Sequence, residues 1–308
     1  MTLIQVPNTD LSVSHVGFGG NVFGWTADEQ TSHRLISEFL DLGGNFIDTA
    51  DVYSSWKPGN QGGESETIIG KWLAKTGRRD ELVIATKVAM LETRKGLSAA
   101  NIAAAVDDSL RRLQTDHIDI YYAHQDDQSV PLDETLLAFD KLVQAGKVRY
   151  IAASNYEYDR LAEANRISAE LGLAKYVALQ NRYSLVAREP YESDAARSVV
   201  DFNIAGFPYS TLGSGFLSGK YRPGVSTDSQ RAGGVESMYA TPENFVLLER
   251  LEQLAKHHST SNTAVALAWL RAQDGVTAPL ASGRTSEQLR ELMVEVVLSP
   301  EDLSYLAG

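Results

Sequence analysis

The sequence predicts an α/β fold built on eight parallel strands. Short, nearly continuous apolar runs recur along the chain, helix-period segments separate them, and no shift in composition interrupts the alternation. Runs of that kind suit strands buried on both faces. Seven or eight consecutive β–α alternations argue for a closed barrel or, failing that, a doubly wound open sheet. At 308 residues the chain exceeds the ~250 typical of a barrel and still suits one domain, taken as residues 1–308.

The elements follow in order. Residues 2–14 predict a hairpin turning at Asn8, placed to cap a barrel floor. The run at 15–19 is the first strand, and further strand-like runs begin near Asn45, Leu82, His117, Val148, Tyr176, Asn203 and Val276. Ile102, Val106, Leu110 and Leu113 recur at helical spacing, as do Leu132, Leu136, Phe139 and Val143, so each set buries one face of a helix. The interval between the last two runs is about twice the others. It holds a Gly/Ser-rich stretch, 223–239, read as a long loop after the seventh strand, and two helical segments split at 259–262. Long loops in compact domains are often lids. Ser299 followed by Pro300 reads as a helix start.

Composition narrows the function. Apolar residues make up 43% of the chain, enough for a large core. A net charge of −12 without a block of Lys or Arg makes nucleic acid and anionic membranes poor partners, while leaving room for a locally basic phosphate pocket. With no cysteine, disulfides, thiolate chemistry and Cys-ligated metals are excluded. No basic segment followed by an apolar one marks a secretory signal, and no apolar stretch nears the ~18 residues of a membrane span. The reading is a soluble cytoplasmic protein; its oligomeric state is not specified.

Polar residues cluster where strands end. Asp48, Lys87 and His124 each terminate an apolar run, and Tyr53 follows Asp48 closely. Ser154 and Asn155, Gln180, Tyr209, and Ser282-Gly283-Arg284 close later runs. Taken singly, an Asp or Asn there is usually a turn or cap, a His more often a core residue, and Tyr209 barrel packing. Their recurrence weakens those readings together, because caps need no amides, lysines or phenols. In a parallel barrel the C-terminal strand ends converge on one mouth, where chemistry sits.

The residue types suit proton donation to a carbonyl. An isolated phenol, with a pKa near ~10, is a poor donor at neutral pH. A neighbouring ammonium lowers it, and a buried carboxylate can hold that ammonium. Asp48, Lys87 and Tyr53 supply that relay. His124 offers an N–H to a substrate oxygen, where alkoxide charge develops as hydride arrives. Hydride comes from a cofactor, since no side chain supplies it. Ser154, Asn155 and Gln180 suit a carboxamide such as that of nicotinamide, and Tyr209 offers its ring a flat face. Ser282-Gly283-Arg284, leading into a helix, reads as an anion site whose arginine fork favours a 2′-phosphate. Gly17-Phe18-Gly19-Gly20 fails the spacing of a Rossmann fingerprint.

With these residues in place the chain resembles the aldo-keto reductase superfamily, of the NADPH-dependent bacterial type, nearly end to end. The segments that carry the resemblance are Asn45-Phe-Ile-Asp-Thr-Ala-Asp-Val-Tyr53 with Gly63-Glu-Ser-Glu66, Ile84-Ala-Thr-Lys87, and Asp119-Ile-Tyr-Tyr-Ala-His124. Gly146-Lys-Val-Arg-Tyr-Ile-Ala-Ala-Ser-Asn155, Leu179-Gln-Asn-Arg-Tyr-Ser184 and Ser214-Gly-Phe-Leu-Ser-Gly-Lys-Tyr221 complete the set.

The resemblance implies a (β/α)8 TIM barrel that reduces aldehydes or ketones with NADPH, NADH being less favoured. Tyr53 would be the general acid, Lys87 and Asp48 its tuners, and His124 the group that orients the carbonyl. Ser154, Asn155 and Gln180 would hold the carboxamide beneath Tyr209. Gly20, Ser210, Leu212, Ser214, Gly215 and Lys220 would serve the cofactor, most of them along its pyrophosphate. Ser282, Gly283, Arg284 and Gln288 would meet the adenosine phosphate end.

Some positions depart from the family pattern. Thr211 replaces a usual proline, Ser282 a common glycine, and Leu292 an asparagine that often touches adenine, which bears on the NADP preference. Gln125, Asp126 and Asp127 follow His124 where a basic residue and proline are frequent. Trp25 and Trp56 are expected at the rim of a substrate pocket, with Met90, Gln125, Asp126 and Tyr156 as further candidates. Two other classes carry different requirements. A nucleotide-binding regulatory subunit would show little turnover. A metal-dependent hydrolase would need several converging ligands, and the strand ends carry one histidine and no His-x-His pair.

Overall fold

A chain of buried strands, each too short to stand alone, closes on itself in the computed structural model, which describes residues 3–222 and 232–307. An antiparallel hairpin comes first, β1 (Ile4–Gln5) and β2 (Ser12–Val13), turning through Asn8 at a φ of 59°. The strands that follow are β3 (Gly17–Gly19), β4 (Phe46–Asp48), β5 (Val83–Val88), β6 (Ile118–Ala123), β7 (Val148–Ser154), β8 (Tyr176–Gln180), β9 (Ala205–Gly206) and β10 (Leu280–Ala281). These eight pair in parallel in the order β10-β3-β4-β5-β6-β7-β8-β9.

The helices are α1 (Glu29–Asp41), α2 (Glu64–Thr76), α3 (Ala99–Leu113), α4 (Leu132–Gln144), α5 (Tyr158–Leu171) and α6 (Ala196–Asp201). After β9 come α7 (Ala232–Tyr239), α8 (Pro242–His257) and α9 (Asn262–Arg271); α10 (Ser286–Leu292) and α11 (Pro300–Ala307) end the chain. Their starts are written in the side chains. Asp28, Ser98, Thr241, Ser261 and Thr285 each accept a backbone N–H from the first turn of the helix that follows. At α11, Ser299 and Asp302 cap each other's backbone N–H reciprocally.

The sheet ends meet between β9 and β10, completing the barrel. Thr277 N donates to Gly206 O at 2.8 Å and Leu280 N to Pro208 O at 2.8 Å. Glycine is required at 206, because a Cβ there would lie 1.8 Å from the Gly275 carbonyl oxygen. Thr211, the departure from proline, donates its hydroxyl to Leu280 O at 2.7 Å and so braces the same seam.

Two apolar layers result. The larger lies between strands and helices, and Ile102, Val106 and Leu113 of α3 join it as their spacing predicts. The smaller fills the barrel, where Phe46, Val83, Ile120, Val177 and Phe207 meet Val6, Leu11 and Val13 of the hairpin. The hairpin therefore plugs the floor. Asp10 pins it there by accepting from Tyr150 and Arg149, and Arg149 also bonds the buried Asp119.

The expected hairpin, eight strands and split helices are all present. The last two strands are shorter than the apolar runs that contain them: β9 keeps the middle of its run and β10 only the last two residues. Of the stretch 223–239 read as a loop, 232–239 form α7, and 223–231 fall outside the described residues. No described helix is long and apolar enough to cross a membrane.

Candidate active site

The four residues expected to carry chemistry meet at the C-terminal ends of β4, β5 and β6. Asp48 ends β4, Lys87 is the fifth residue of β5, and His124 follows β6 directly. Tyr53 reaches them from the loop after β4. The Lys87 ammonium donates to both Asp48 oxygens at 2.7 and 2.8 Å and to Thr49 O at 2.7 Å. It lies 3.0 Å from the Tyr53 hydroxyl, which is 3.2 Å from Asp48 Oδ2. Gln180 Nε2 donates to Asp48 Oδ1 at 2.9 Å, fixing the carboxylate from a third side. The Tyr53 and His124 rings stand edge to face at 6.1 Å, and His124 Nδ1 is buried without a partner.

The electrostatics differ from the sequence expectation in one respect. Burial, and then the Asp48 carboxylate, push the Tyr53 phenol well above its usual range, whereas the ammonium was expected to lower it. Burial is the larger cause, and the Asp48 carboxylate, 3.2 Å from the phenol oxygen, adds to it against the nearby ammonium. Burial lowers the Lys87 pKa, with Asp48 pulling it back up. His124 is held well below its ordinary value by burial and then by the Lys87 charge. The pattern is a protonated phenol beside a neutral imidazole.

A cleft of about 550 Å³ runs from Asp48 and Tyr53 past Tyr209 and Ser210 to Arg284 and Gln288. Its volume is that of a small-molecule or cofactor site. The middle of the cleft is lined by Leu212, Ser214, Gly215 and Lys220. Ser210, Ser214 and Gly215 all have positive φ, and the absence of a Cβ at Gly215 leaves room for Lys220 Nζ, which would lie 3.3 Å from it. Farther along, Ser282 donates to Asn21 Oδ1 at 2.7 Å, and the Gln288 side chain accepts from Arg284 N at 2.9 Å. Gly283 is buried under α10, its missing Cβ facing Gln288 and Leu289. No described residue pairs with the half-buried Arg284 guanidinium. Hydroxyls, a lysine and an unpaired arginine along one groove fit a phosphate-bearing dinucleotide.

The amide set also assembles, with Ser154 and Gln180 buried and Asn155 exposed. Ser154 Oγ donates to Gln180 O, and Asn155 Nδ2 to His124 O at 2.9 Å and Ser154 Oγ at 3.1 Å. The Tyr209 hydroxyl donates to Asn155 Oδ1 at 2.8 Å. Asn155 thus joins the Tyr209 ring to the His124 backbone.

Other expectations need correction. Gly20 does not line the cleft; its neighbours Gly19 and Asn21 do, and a Cβ at Gly20 would meet Ser65 Oγ at 2.8 Å. Tyr156 is buried against Tyr176 rather than open to a pocket. Asp126 is bound by Arg160, and Asp127 accepts from Leu97 N and Ser129. Those acids brace loops. Trp25 and Trp56 do meet edge to face at 5.7 Å, with the Trp56 ring 6.0 Å from that of Tyr53 and 45% exposed. Sequence reasoning missed Asn21, Thr26, Glu287 and Glu291, which line the cleft. The first two follow a strand end, so the rule that found Asp48 applied to them as well.

The aldo/keto reductase family model matches residues 15–308. The chain belongs to that family. It is 36% identical over 320 residues to an uncharacterized oxidoreductase, YrpG of Bacillus subtilis, covering 99% of this chain and 95% of that protein. It is similar to an aryl-alcohol dehydrogenase of Pestalotiopsis microspora at 30% identity, covering 98% of this chain and 80% of that one. A third relative, the aldo-keto reductase YhdN of Bacillus subtilis, is 31% identical over 95% of this chain and 88% of its own. Family membership makes this aldo/keto reductase an oxidoreductase of carbonyl groups that works with a nicotinamide cofactor.

Proposed function

We propose that this chain reduces aldehydes or ketones to alcohols with NADPH, reversibly, and that Tyr53 delivers the proton. One observation carries the reading: a buried ammonium, Lys87 Nζ, held between the Asp48 carboxylate and the Tyr53 hydroxyl at the end of a dinucleotide-sized cleft. The bound cofactor supplies hydride. Tyr53 keeps its proton at the phenol oxygen until alkoxide charge develops beside it. Breaking that O–H bond leaves a phenolate that Lys87 stabilises at 3.0 Å. Neutral His124 offers an N–H to the substrate oxygen, and Asp48 with Gln180 fixes the ammonium. Ser154, Asn155 and Gln180 would hold the carboxamide, exchanging bonds that their side chains now make to one another, to the Gln180 and His124 carbonyls and to Asp48. Tyr209 would stack on the nicotinamide ring. Ser210, Leu212, Ser214, Gly215 and Lys220 would follow the pyrophosphate, and Ser282, Arg284 and Gln288 the adenosine phosphate.

The preference for NADPH rests on the Arg284 fork, which no described residue pairs. Leu292, buried in the cleft wall, would give adenine an apolar contact where an asparagine is common. Trp25 and Trp56 favour a substrate with an apolar body. A net charge of −12 supports a small-molecule role, in the cytoplasm, without nucleic acid or membrane partners.

The experiment is a panel of aliphatic and aryl aldehydes and ketones assayed for NADPH oxidation. Turnover is expected, with Tyr53→Phe lowering kcat by about 10²–10⁴-fold and leaving NADPH binding intact. NADPH loss insensitive to Tyr53→Phe would favour the nucleotide-binding regulatory reading.

A further inference from the structure

A second set of buried ionisable side chains lies close to Lys87, outside the residues that line the cleft. Glu66 of α2 is fully buried; its Oε1 accepts from Thr86 of β5 at 2.6 Å and its Oε2 from Arg112 of α3 at 2.7 Å. Lys87 is likewise bound to Asp48. Each cation thus has its own carboxylate. Asp51, in the loop between Asp48 and Tyr53, has neither. It is completely buried, and among the described residues no side chain donates a hydrogen bond to either of its carboxylate oxygens. The nearby Tyr121 hydroxyl of β6 is also buried without one.

Counting charge decides what Asp51 is. Asp48, Glu66, Lys87 and Arg112 sum to zero when all are ionised, so an ionised Asp51 would leave a buried negative charge with no side-chain donor and no cation of its own. Such a group neutralises instead.

We propose that Asp51 stands in the folded protein as a neutral carboxylic acid, and that its proton keeps the charge near Lys87 low enough for Tyr53 to release its own. Asp51 is a positioning residue that acts through Lys87 and transfers no proton itself. When the Tyr53 O–H bond breaks and the alcohol O–H bond forms, the cluster passes from neutral to one negative charge. With Asp51 ionised it would reach two, and donation would weaken.

The groups facing Asp51 agree with this assignment. Burial and then Glu66 push its carboxyl well above the usual carboxylate range, while Arg112, the adjacent Val52 backbone N–H and Lys87 pull it down. Tyr121, from β6, feels Asp51, Glu66 and Asp108 in the same direction. The catalytic consequence rests on the carbonyl-reductase reading; the proton on Asp51 does not.

Two measurements on the full chain test this. The first is kcat for carbonyl reduction against pH, for the native protein and Asp51→Asn. The native rate should fall on the alkaline side, approaching about tenfold per pH unit, and Asp51→Asn should stay flat over the same range. Tyr53, held well above its ordinary value, is not the source of a fall below about pH 10. Identical alkaline limbs in the two proteins overturn the proposal. The second needs no variant and no turnover: infrared spectra of the native protein carrying ¹³C-labelled aspartate. A protonated-carboxyl band at neutral pH that titrates away in alkali supports the proposal, and its absence at neutral pH overturns it. A protein with the band but no carbonyl turnover would sink the reductase reading and leave Asp51 assigned.

Discussion

The two ends of the cleft are built on opposite principles. At the acid end, Lys87 and Asp48 are buried and already bonded to each other, to Thr49, to Tyr53 and to Gln180. At the phosphate end, Arg284 is half-buried with its guanidinium unpaired among the described residues, and the backbone turns through positive φ at Ser210, Ser214 and Gly215. The first holds its charges in balance before any ligand arrives; the second leaves charge for a ligand to neutralise. Chemistry needs donors fixed in place at the moment of reaction. Binding instead gains from donors that water has kept solvated and a phosphate can take over.

The comparison is broken most directly at Lys87. Lys87→Met should lower kcat for reduction by about 10²–10⁴-fold while NADPH binding, read by fluorescence titration, stays close to native. Retained activity would mean the buried ammonium does not support the phenolate. Arg284→Ala is the counterpart. It should weaken NADPH by about 1.5–3 kcal/mol, the range for a hydrogen bond to a charged group, with far less effect on NADH and little on kcat. Equal losses for the two cofactors would show that Arg284 meets something other than the 2′-phosphate.

Burial at the acid end also predicts a pH dependence that the other end lacks. His124 is held well below its ordinary value, so the unfolded chain takes up a proton before the folded one does. Its contribution is fully present above the unfolded value near 6.5 and is lost as pH falls from there toward the folded value. His15, buried near Arg271 and lowered to about 4, adds to the same slope. Stability from urea titrations should therefore drop by up to about 1.4 kcal/mol per pH unit for each histidine below that point. His124→Gln should remove one such contribution, and Arg284→Ala should leave the slope unchanged. A slope indifferent to His124→Gln would place its proton elsewhere.

What the sequence revealed follows the same division. Strand ends announce themselves, because an apolar run stopping at Asp48, Lys87 or His124 is visible without coordinates, and a parallel barrel brings those ends together. The hairpin plug was legible too, from Asn8 between two short alternating runs. Three-dimensional offsets were not. No spacing shows how far burial desolvates the Tyr53 phenol or that Asp48 lies 3.2 Å from it, and both raise the phenol where the ammonium alone would lower it. Nor does it show that Asp126 turns to Arg160, or that Tyr156 packs on Tyr176. Asp51 sat inside the most recognisable segment of the chain, and only burial exposes its missing side-chain donor. Gly20 shows the smallest such offset: it lies between the cleft-lining Gly19 and Asn21, and only the turn shows that it packs on Ser65.

The smallest effect sharpens the comparison where the two ends share a wall. Thr211 lines the cleft, yet its hydroxyl is buried and committed to Leu280 O across the β9–β10 seam. Thr211→Val keeps the shape and removes the donor, leaving the Leu280 carbonyl one bond short. A loss of about 1 kcal/mol in unfolding free energy is expected, with kcat and NADPH affinity within experimental error of native. If binding falls while stability holds, the hydroxyl is serving the cofactor. The seam between β9 and β10 would then depend on backbone bonds alone.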